Sequence, residues 1–102
     1  MIVALSTYPD SKSARKAARD IVTKKLAACV SIINVEESYY RWKGRVERQP
    51  EYLLIIKTSR TAYARLEAFI KKGHPHKVPE IIWMDAKGGL RDYLAWVQAN
   101  SG

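Results

Sequence analysis

Apolar residues near the start of the chain fall into two different spacings. Ile2–Leu5 is a continuous apolar run, which predicts a central strand buried on both faces. Pro9 ends this strand, and Asp10 is a good N-cap for a following helix. In that helix basic residues occupy one face and small or apolar residues the other, so the pattern predicts an amphipathic helix lying on a sheet. The apolar positions are Ala14, Ala17, Ala18, Ile21 and Val22.

The middle of the chain has the pattern of two long strands joined by a tight turn. Cys29–Trp42 is rich in Val, Ile and Tyr, which favour strands. The next residues supply the turn, with Gly44 free to adopt positive φ. The return strand is expected from about Val46 to Thr58. Pro50 within it predicts a bulge or an edge position, because proline cannot donate a hydrogen bond to a strand ladder.

A second helix, a short strand and a third helix are predicted in the last part of the chain. Ser59 or Thr61 caps the second helix, and Gly73 lies just past its end. The rigid loop 74–79 precedes the apolar strand Ile81–Met84. The apolar stripes of the two helices are Tyr63, Leu66, Phe69 and Ile70, and Leu90, Tyr93, Leu94 and Val97.

The predicted order is β-α-β-β-α-β with an extra C-terminal helix, a ferredoxin-like arrangement in one domain over residues 1–102. A strand of this length spans about 45 Å, whereas a compact domain of this size has a radius of gyration of about 13 Å. The central hairpin is therefore expected to protrude, exposing Tyr39, Tyr40 and Trp42 together. Because exposed strand edges favour pairing, we predict that copies of the chain bury this hairpin. The alternative is that the long strand kinks into two shorter strands and nothing protrudes.

Composition and charge limit the class of protein further. The chain has 102 residues, 47% of them hydrophobic, and a net charge of +8, which fits a solvated surface or an anionic partner. A single cysteine, Cys29, excludes an intrachain disulfide. No signal peptide is recognised, and no apolar run reaches the ~20 residues that span a bilayer. We therefore expect a cytoplasmic protein that does not enter the membrane.

Three side chains suit a metal ion: Cys29, His74 and His76. His74-Pro75-His76 is a weak H-x-H motif, and it forms a copper or zinc site with Cys29 only if the fold brings the three together. The alternative is a small buried cysteine and two histidines that cap backbone groups or face solvent. Nucleophilic catalysis has no support, because neither Cys29 nor Ser6 lies in a nucleophile motif.

Nucleic-acid binding is compatible with a basic ferredoxin-like domain. The RNA-recognition version of this fold requires aromatic side chains at alternate positions of a central strand. The segment Tyr52–Lys57 lacks them, which indicates a core strand. Nucleic acid is therefore not the favoured partner.

Five segments, in order and at the right spacing, match one family pattern over nearly the whole chain. They include S-x-Y-x-W-x-G at the hairpin and H-P-x-x-x-P-E-I at the following loop. The matching residues are Thr7, Pro9 and Asp10; Lys25–Cys29; Ser38, Tyr40, Trp42 and Gly44; Glu51 and Ile56–Thr58; and His74, Pro75 and Pro79–Ile81. Together these segments resemble the CutA family of divalent-cation tolerance proteins.

The resemblance implies a ferredoxin-like subunit in a homotrimer whose hairpins wrap neighbouring subunits, and tolerance of divalent cations, copper especially. It also implies similarity to the trimer of PII signalling proteins, hence a ligand cleft between subunits. It implies neither an enzymatic reaction nor a required cofactor. Alternatively, Glu51 and Glu80 only pair with Lys57 or with basic groups across an interface. The cleft residues carried over are Tyr40, Trp42, Glu51, Lys57, His74 and Glu80.

The chain departs from the family pattern at possible metal positions. Ser6 and Gly73 stand where some members have cysteine and histidine, and His76 replaces a usual tyrosine. Of the possible copper ligands at those positions, this chain has only His74. Cys29 remains a candidate soft ligand for Cu(I). We expect a non-enzymatic trimer that binds copper or another divalent metal, or responds to it. A PII-like small-molecule signalling or scaffolding trimer and a basic nucleic-acid-binding module are the alternatives.

Overall fold

The computed structural model describes residues 1–102 and has three helices packed with one four-stranded antiparallel sheet of strand order β2-β3-β1-β4. This confirms the predicted β-α-β-β-α-β order with an extra helix. Both central strands, β1 and β3, have a neighbour on each side. The elements are β1 Ile2–Tyr8, α1 Ser11–Thr23, β2 Cys29–Trp42, β3 Arg45–Thr58, α2 Arg60–Gly73, β4 Ile81–Asp85 and α3 Arg91–Ala99.

The first strand extends three residues beyond the apolar run that predicted it. Burial alternates along Ile2–Tyr8, with the even-numbered side chains buried and the odd-numbered ones half-buried. Ser6 is fully buried although it is polar. The strand is therefore central, as predicted, but in a single subunit only one of its faces is fully buried.

Side-chain caps start the first two helices. Asp10 Oδ1 accepts from the main-chain N of Ser13 at 2.7 Å, and Ser59 Oγ accepts from the main-chain N of Ala62 at 3.1 Å. These bonds satisfy amide groups that have no partner within the helix. The second helix includes Gly73, one residue further than predicted, and ends at the cap residue His74. No helix has the length and apolarity needed to cross a membrane.

The main core lies between the sheet and the two longer helices. Ala4 and Tyr8 of β1, together with Leu54 and Ile56 of β3, meet the apolar stripes of α1 and α2. Small side chains on α1 allow that helix to approach the sheet closely. The helix residues in this cluster are Ala14, Ala17, Ile21, Leu66 and Ile70.

The hairpin β2–β3 is longer than the rest of the sheet. Strand β1 pairs with β3 only as far as Tyr8 opposite Tyr52, so β3 before Tyr52 pairs with β2 alone. The subunit is elongated, with extents of 45 × 24 × 20 Å and a radius of gyration of 14.1 Å. Lys43 and Gly44 form the turn, both with positive φ. The predicted protruding hairpin is confirmed.

A bulge lies opposite the proline of β3. Val35 pairs with Glu51 and Ser38 pairs with Gln49, so two residues of β2 stand opposite Pro50 alone. Proline cannot donate to the ladder, and the extra residue on the partner strand accommodates this. The bulge also changes which β2 side chains share a face beyond it. Ser38 and the residues alternating with it thereby face the same side as Glu51.

The sheet face away from the main core carries apolar side chains that a single subunit leaves accessible. We call it the open face, and the register places Ile55, Leu5 and Ile82 side by side across it, with Ile33 opposite Leu53 in the next row. Ile33 is 46% and Ile82 is 50% exposed. A contiguous apolar surface of this kind marks an interaction site.

Candidate functional site

The hairpin forms one wall of a cleft beyond the end of β1. Tyr40 stands opposite Glu47, and Ser38 stands opposite Gln49. Directly opposed residues of an antiparallel pair point to the same face, and so do alternate residues along one strand. The wall therefore combines aromatic side chains from β2 with carboxylates and an amide from β3.

The carboxylate of Glu51 is fixed where the hairpin meets the rest of the sheet. Ser38 Oγ donates to Glu51 Oε2 at 2.7 Å, directly beside the bulge. This bond is part-buried and orients the carboxylate, while its other oxygen has no hydrogen-bond partner in the subunit. Glu51 therefore offers a held acceptor to a ligand in the cleft.

The loop after α2 forms the opposite wall, and His74 ties it to β1. His74 Nε2 lies 2.7 Å from the main-chain oxygen of Thr7, and the main-chain N of His76 donates to His74 Nδ1 at 3.0 Å. Because a carbonyl oxygen only accepts, Nε2 carries the proton and Nδ1 is the acceptor. The ring also packs on Tyr8, with centroids 4.3 Å apart. Both ring nitrogens are thus occupied, and neither is free for a metal ion.

The electrostatics of His74 favour the neutral ring that this geometry requires. Burial lowers the pKa of His74 below its ordinary value, and the nearby His76 adds to that effect, whereas the bond to Thr7 opposes it. The ring is therefore neutral and in one tautomer at neutral pH. Its role here is to position the loop.

The cleft between the two walls has a volume of about 750 Å³ and an acidic, aromatic lining. It contains three glutamates and a single cationic residue, Lys77, in a chain whose net charge is +8. Such a local reversal of charge favours cationic ligands over anionic ones. The lining consists of Thr7, Ser38, Tyr39, Tyr40, Trp42, Glu47, Gln49, Glu51, Pro75, His76, Lys77, Val78 and Glu80.

Most of the residues predicted for a ligand cleft lie together here. Tyr40, Trp42, Glu51 and Glu80 line the cleft. Lys57 does not, because it is six residues further along β3, paired with Cys29 at the other end of the sheet. Its Nζ lies 4.0 Å from Cys29 Sγ.

The three predicted metal ligands are not brought to one point within a subunit. Cys29 and Lys57 lie level with Val3 on β1, whereas His74 contacts Thr7, four residues further along that strand. This separation is about 13 Å along the strand direction alone. No group of three or more His, Cys, Asp or Glu side chains is arranged to hold a metal ion. Of the three, only His76 lines the cleft.

Sequence reasoning missed several cleft residues, among them Glu47 and Gln49 of β3. The sequence does carry a signal for them, because residues 47, 49 and 51 alternate along a predicted strand and therefore share one face. Two of them, Glu47 and Gln49, stand opposite Tyr40 and Ser38. Lys77 and Val78 carry no such signal. Their place depends on the tertiary contact between His74 and β1.

The fold and the cleft together define the class of protein: a ferredoxin-like subunit with a protruding hairpin and an acidic, aromatic cleft at its base. Residues 2–100 match the sequence model of the family described as CutA1 divalent ion tolerance protein. The chain belongs to this family. Its sequence is 41% identical, over 98% of this chain and 97% of the relative, to the divalent-cation tolerance protein CutA of Thermus thermophilus.

Solved structures of relatives share the whole fold. The Thermus thermophilus protein superposes with a TM-score of 0.95 at 41% identity over 100% of both chains. A PII-like protein CutA from Nostoc sp. PCC 7120, in apo form, is 31% identical with a TM-score of 0.94, over 100% of this chain and 98% of its own. A periplasmic divalent cation tolerance protein CutA from Archaeoglobus fulgidus is 31% identical with a TM-score of 0.90, over 95% of each chain.

Proposed function

We propose that the chain forms a non-catalytic homotrimer that responds to divalent cations, and that the cleft at the base of the hairpin is its cation-binding site. The observation that carries this proposal is the charge of the cleft, which is acidic in a basic protein. Family membership supports the link to divalent cations, since the family is described by tolerance of them.

The donor atoms of the cleft suit a divalent cation. Glu51 has a carboxylate oxygen without a partner, and Glu47 and Glu80 add further oxygens. Carboxylates bind hard divalent ions, and an imidazole such as that of His76 favours copper or zinc. Within one subunit these groups do not meet at one point, so water molecules or a second subunit complete the coordination.

Trimer formation is supported by the surfaces that one subunit leaves accessible. The outer edge of β2 is unpaired over its whole length, and β3 has a second free edge before Tyr52. Trp42 near the turn is 55% exposed. Free strand edges beside apolar side chains are the surfaces that an oligomer buries.

Binding fits the cleft better than catalysis. The hydroxyl of Ser38 donates to a carboxylate, and the ring of His74 is engaged by two main-chain groups. Nucleophilic catalysis needs a hydroxyl or thiol activated by an adjacent base. The hydrogen bonds of these two residues serve positioning.

A calorimetric titration of the reduced protein with Cu(II), against a weak competing chelator, tests direct metal binding. We expect one saturable event per subunit that Glu51→Gln and His76→Ala weaken. Asp92→Asn on α3 is the matched control, since it removes a carboxylate outside the cleft. Cys29→Ser separates a soft thiol site for Cu(I) from the cleft. Saturable binding that is indifferent to the two cleft variants would refute the assignment of the cleft.

A small-molecule sensor is the second candidate, and the size of the cleft favours it. A volume of about 750 Å³, lined by aromatic as well as acidic side chains, exceeds what a single ion needs. The relative described as PII-like supports this candidate. Thermal shifts of metal-free protein with organic cations, compared between the wild type and Trp42→Ala, distinguish it from a metal-binding protein.

A cytoplasmic location is part of the proposal, although one relative is described as periplasmic. It is supported by the single cysteine, which leaves no disulfide to form in an oxidising compartment. Fractionation of cells that express the tagged full chain tests the location. Recovery in the periplasm would overturn it.

A further inference from the structure

A second cavity lies between the two longer helices, away from the cation cleft. It is a groove of about 360 Å³, at the small end of the range for ligand sites. Helix α1 forms one side of it, α2 the other, and the end of β1 contributes from below. The side chains that matter to its chemistry are Tyr8, Ser13, Lys16, Asp20, Lys24 and Phe69.

Tyr8 brings a hydroxyl without a partner to this groove. The residue is 3% exposed, its ring packs in the core and on His74, and its hydroxyl makes no hydrogen bond within the protein. Ser6 Oγ is the one buried side-chain polar atom left without a partner, so the Tyr8 hydroxyl is open at the groove and not sealed in the core. Burial also raises the pKa of Tyr8 to about 12, so the hydroxyl keeps its proton and remains a donor. A ligand atom that accepts a hydrogen bond would satisfy it.

The cations around the groove indicate the charge of that ligand. Lys16 Nζ donates to Asp20 at 2.9 Å, a contact that lowers the pKa of Asp20 and keeps it ionised. Lys24 makes no salt bridge, and its Nζ lies 5.8 Å from the ring centre of Phe69. Lys24 also helps to lower the pKa of Asp20, but the direct salt bridge of Asp20 is with Lys16, so Lys24 remains without a contacting carboxylate beside an aromatic surface.

We propose that this groove binds a small organic anion with a flat apolar body. Its carboxylate or phosphate accepts a hydrogen bond from the Tyr8 hydroxyl and pairs with Lys24, while its apolar part lies against Phe69 and Ala17. The site adjoins the cleft through the packing of Tyr8 on His74, but it shares no lining residue with the cleft and takes a ligand of opposite charge. Absence of binding here would therefore leave the function proposed above unaffected, and failure of that function would leave this site unaffected.

Ligand-observed NMR with benzoate, phenyl phosphate and inorganic phosphate tests the site on the whole oligomer. Tyr8→Phe removes only the hydroxyl, and because that hydroxyl bonds to no other group of the protein, the fold should keep its stability. We expect this variant to weaken binding of the two aromatic anions by about tenfold or more, because a hydrogen bond to a charged group is lost.

Lys24→Gln and Lys25→Gln form a matched pair of neighbouring lysines, of which only Lys24 lines the groove. We expect the first to weaken binding and the second to leave it unchanged. Equal effects of the two variants would show only general attraction to a basic surface. Inorganic phosphate bound as well as phenyl phosphate would mean an adventitious ion only. Either result, or aromatic anions bound equally by the wild type and Tyr8→Phe, overturns the proposal.

Discussion

His74 ties the loop wall of the cleft to β1 by donating a hydrogen bond of 2.7 Å from Nε2 to the main-chain oxygen of Thr7. The same ring accepts from the main-chain N of His76, which begins the loop wall of the cleft. The loop is thus fixed to the end of a central strand through one imidazole. Protonation of Nδ1 would remove the acceptor, so the arrangement depends on a neutral ring.

This dependence predicts a loss of stability in mild acid. Burial lowers the pKa of His74 below its ordinary value, so the unfolded chain takes up the proton first as the pH falls. Stability is therefore full above about pH 6.5 and declines below it, since the unfolded state then binds more protons. Urea midpoints between pH 7.5 and pH 5.5, at one protein concentration, should show this decline.

Two variants show whether His74 causes that decline. His74→Gln should lower the midpoint at pH 7.5 and flatten its dependence on pH over this range. His76→Gln keeps the ring that bonds to Thr7 and removes only the smaller effect of His76 on the His74 pKa, so its profile should retain most of the wild-type slope. An undiminished slope in His74→Gln would assign the titration to another group.

Ser6 offers a stabilising substitution. Its hydroxyl is buried on the core side of β1 and has no hydrogen-bond partner. Ser6→Ala removes this unmet group with little loss of volume, and we expect a gain of about 1 kcal/mol in the free energy of unfolding. Denaturant midpoints measure the change.

Thr58 is the matched control, because its buried hydroxyl donates to the main-chain oxygen of Leu26 at 2.7 Å. Thr58→Val preserves shape and breaks that bond, so it should cost about 1–2 kcal/mol. The two variants thus change stability in opposite directions. A destabilised Ser6→Ala protein would mean that the hydroxyl has a partner in the assembled protein.

The sequence predicted β2 with its observed bounds but ended β1 too early. In β2, β-branched and aromatic residues run up to a turn that Gly44 marks clearly. In β1 the residues after Leu5 are polar or amphipathic by type, although Ser6 and Tyr8 are buried. Residue type alone does not reveal that a serine lies in the core, since the helices above it determine its burial.

Sequence reasoning names cleft residues of the hairpin, and it fails for residues whose position depends on tertiary contacts. The family resemblance implied Tyr40, Trp42 and Glu51 for the cleft, and strand alternation near one turn places all three on one face of the hairpin. Lys57 was placed in the cleft with Glu51 because both belong to one motif, yet the register sets them six residues apart along β3. The engagement of both nitrogens of His74 is equally invisible in the sequence, since it depends on Thr7, far away along the chain.

The open face of the sheet gives a direct test of assembly. Ile33 lies on this face, is 46% exposed and stands opposite Leu53. A charge there would be buried without a partner in an oligomer, so Ile33→Asp should dissociate it. Light scattering should then report the mass of one subunit, 11.6 kDa, and three times that mass for the wild type.

Val22 on α1 is the control, because it is an aliphatic residue of similar exposure, 42%, outside the open face. Val22→Asp should keep the wild-type mass. Dissociation by both variants would indicate general destabilisation. A wild-type chain that stays monomeric would remove the trimer from the proposed function.

The hairpin turn provides a test of backbone conformation that is free of packing effects within the subunit. Gly44 has a φ of +76°, and a Cβ built there meets no atom within 4 Å in the subunit. Gly44→Ala should therefore cost only the strain of a left-handed residue, about 1–2 kcal/mol. Gly88→Ala also introduces a methyl group into open space, but without a positive φ, so it should change stability by less than about 0.5 kcal/mol. Denaturant midpoints of the two variants isolate the turn conformation, and equal midpoints would show that the hairpin end adopts another turn in solution.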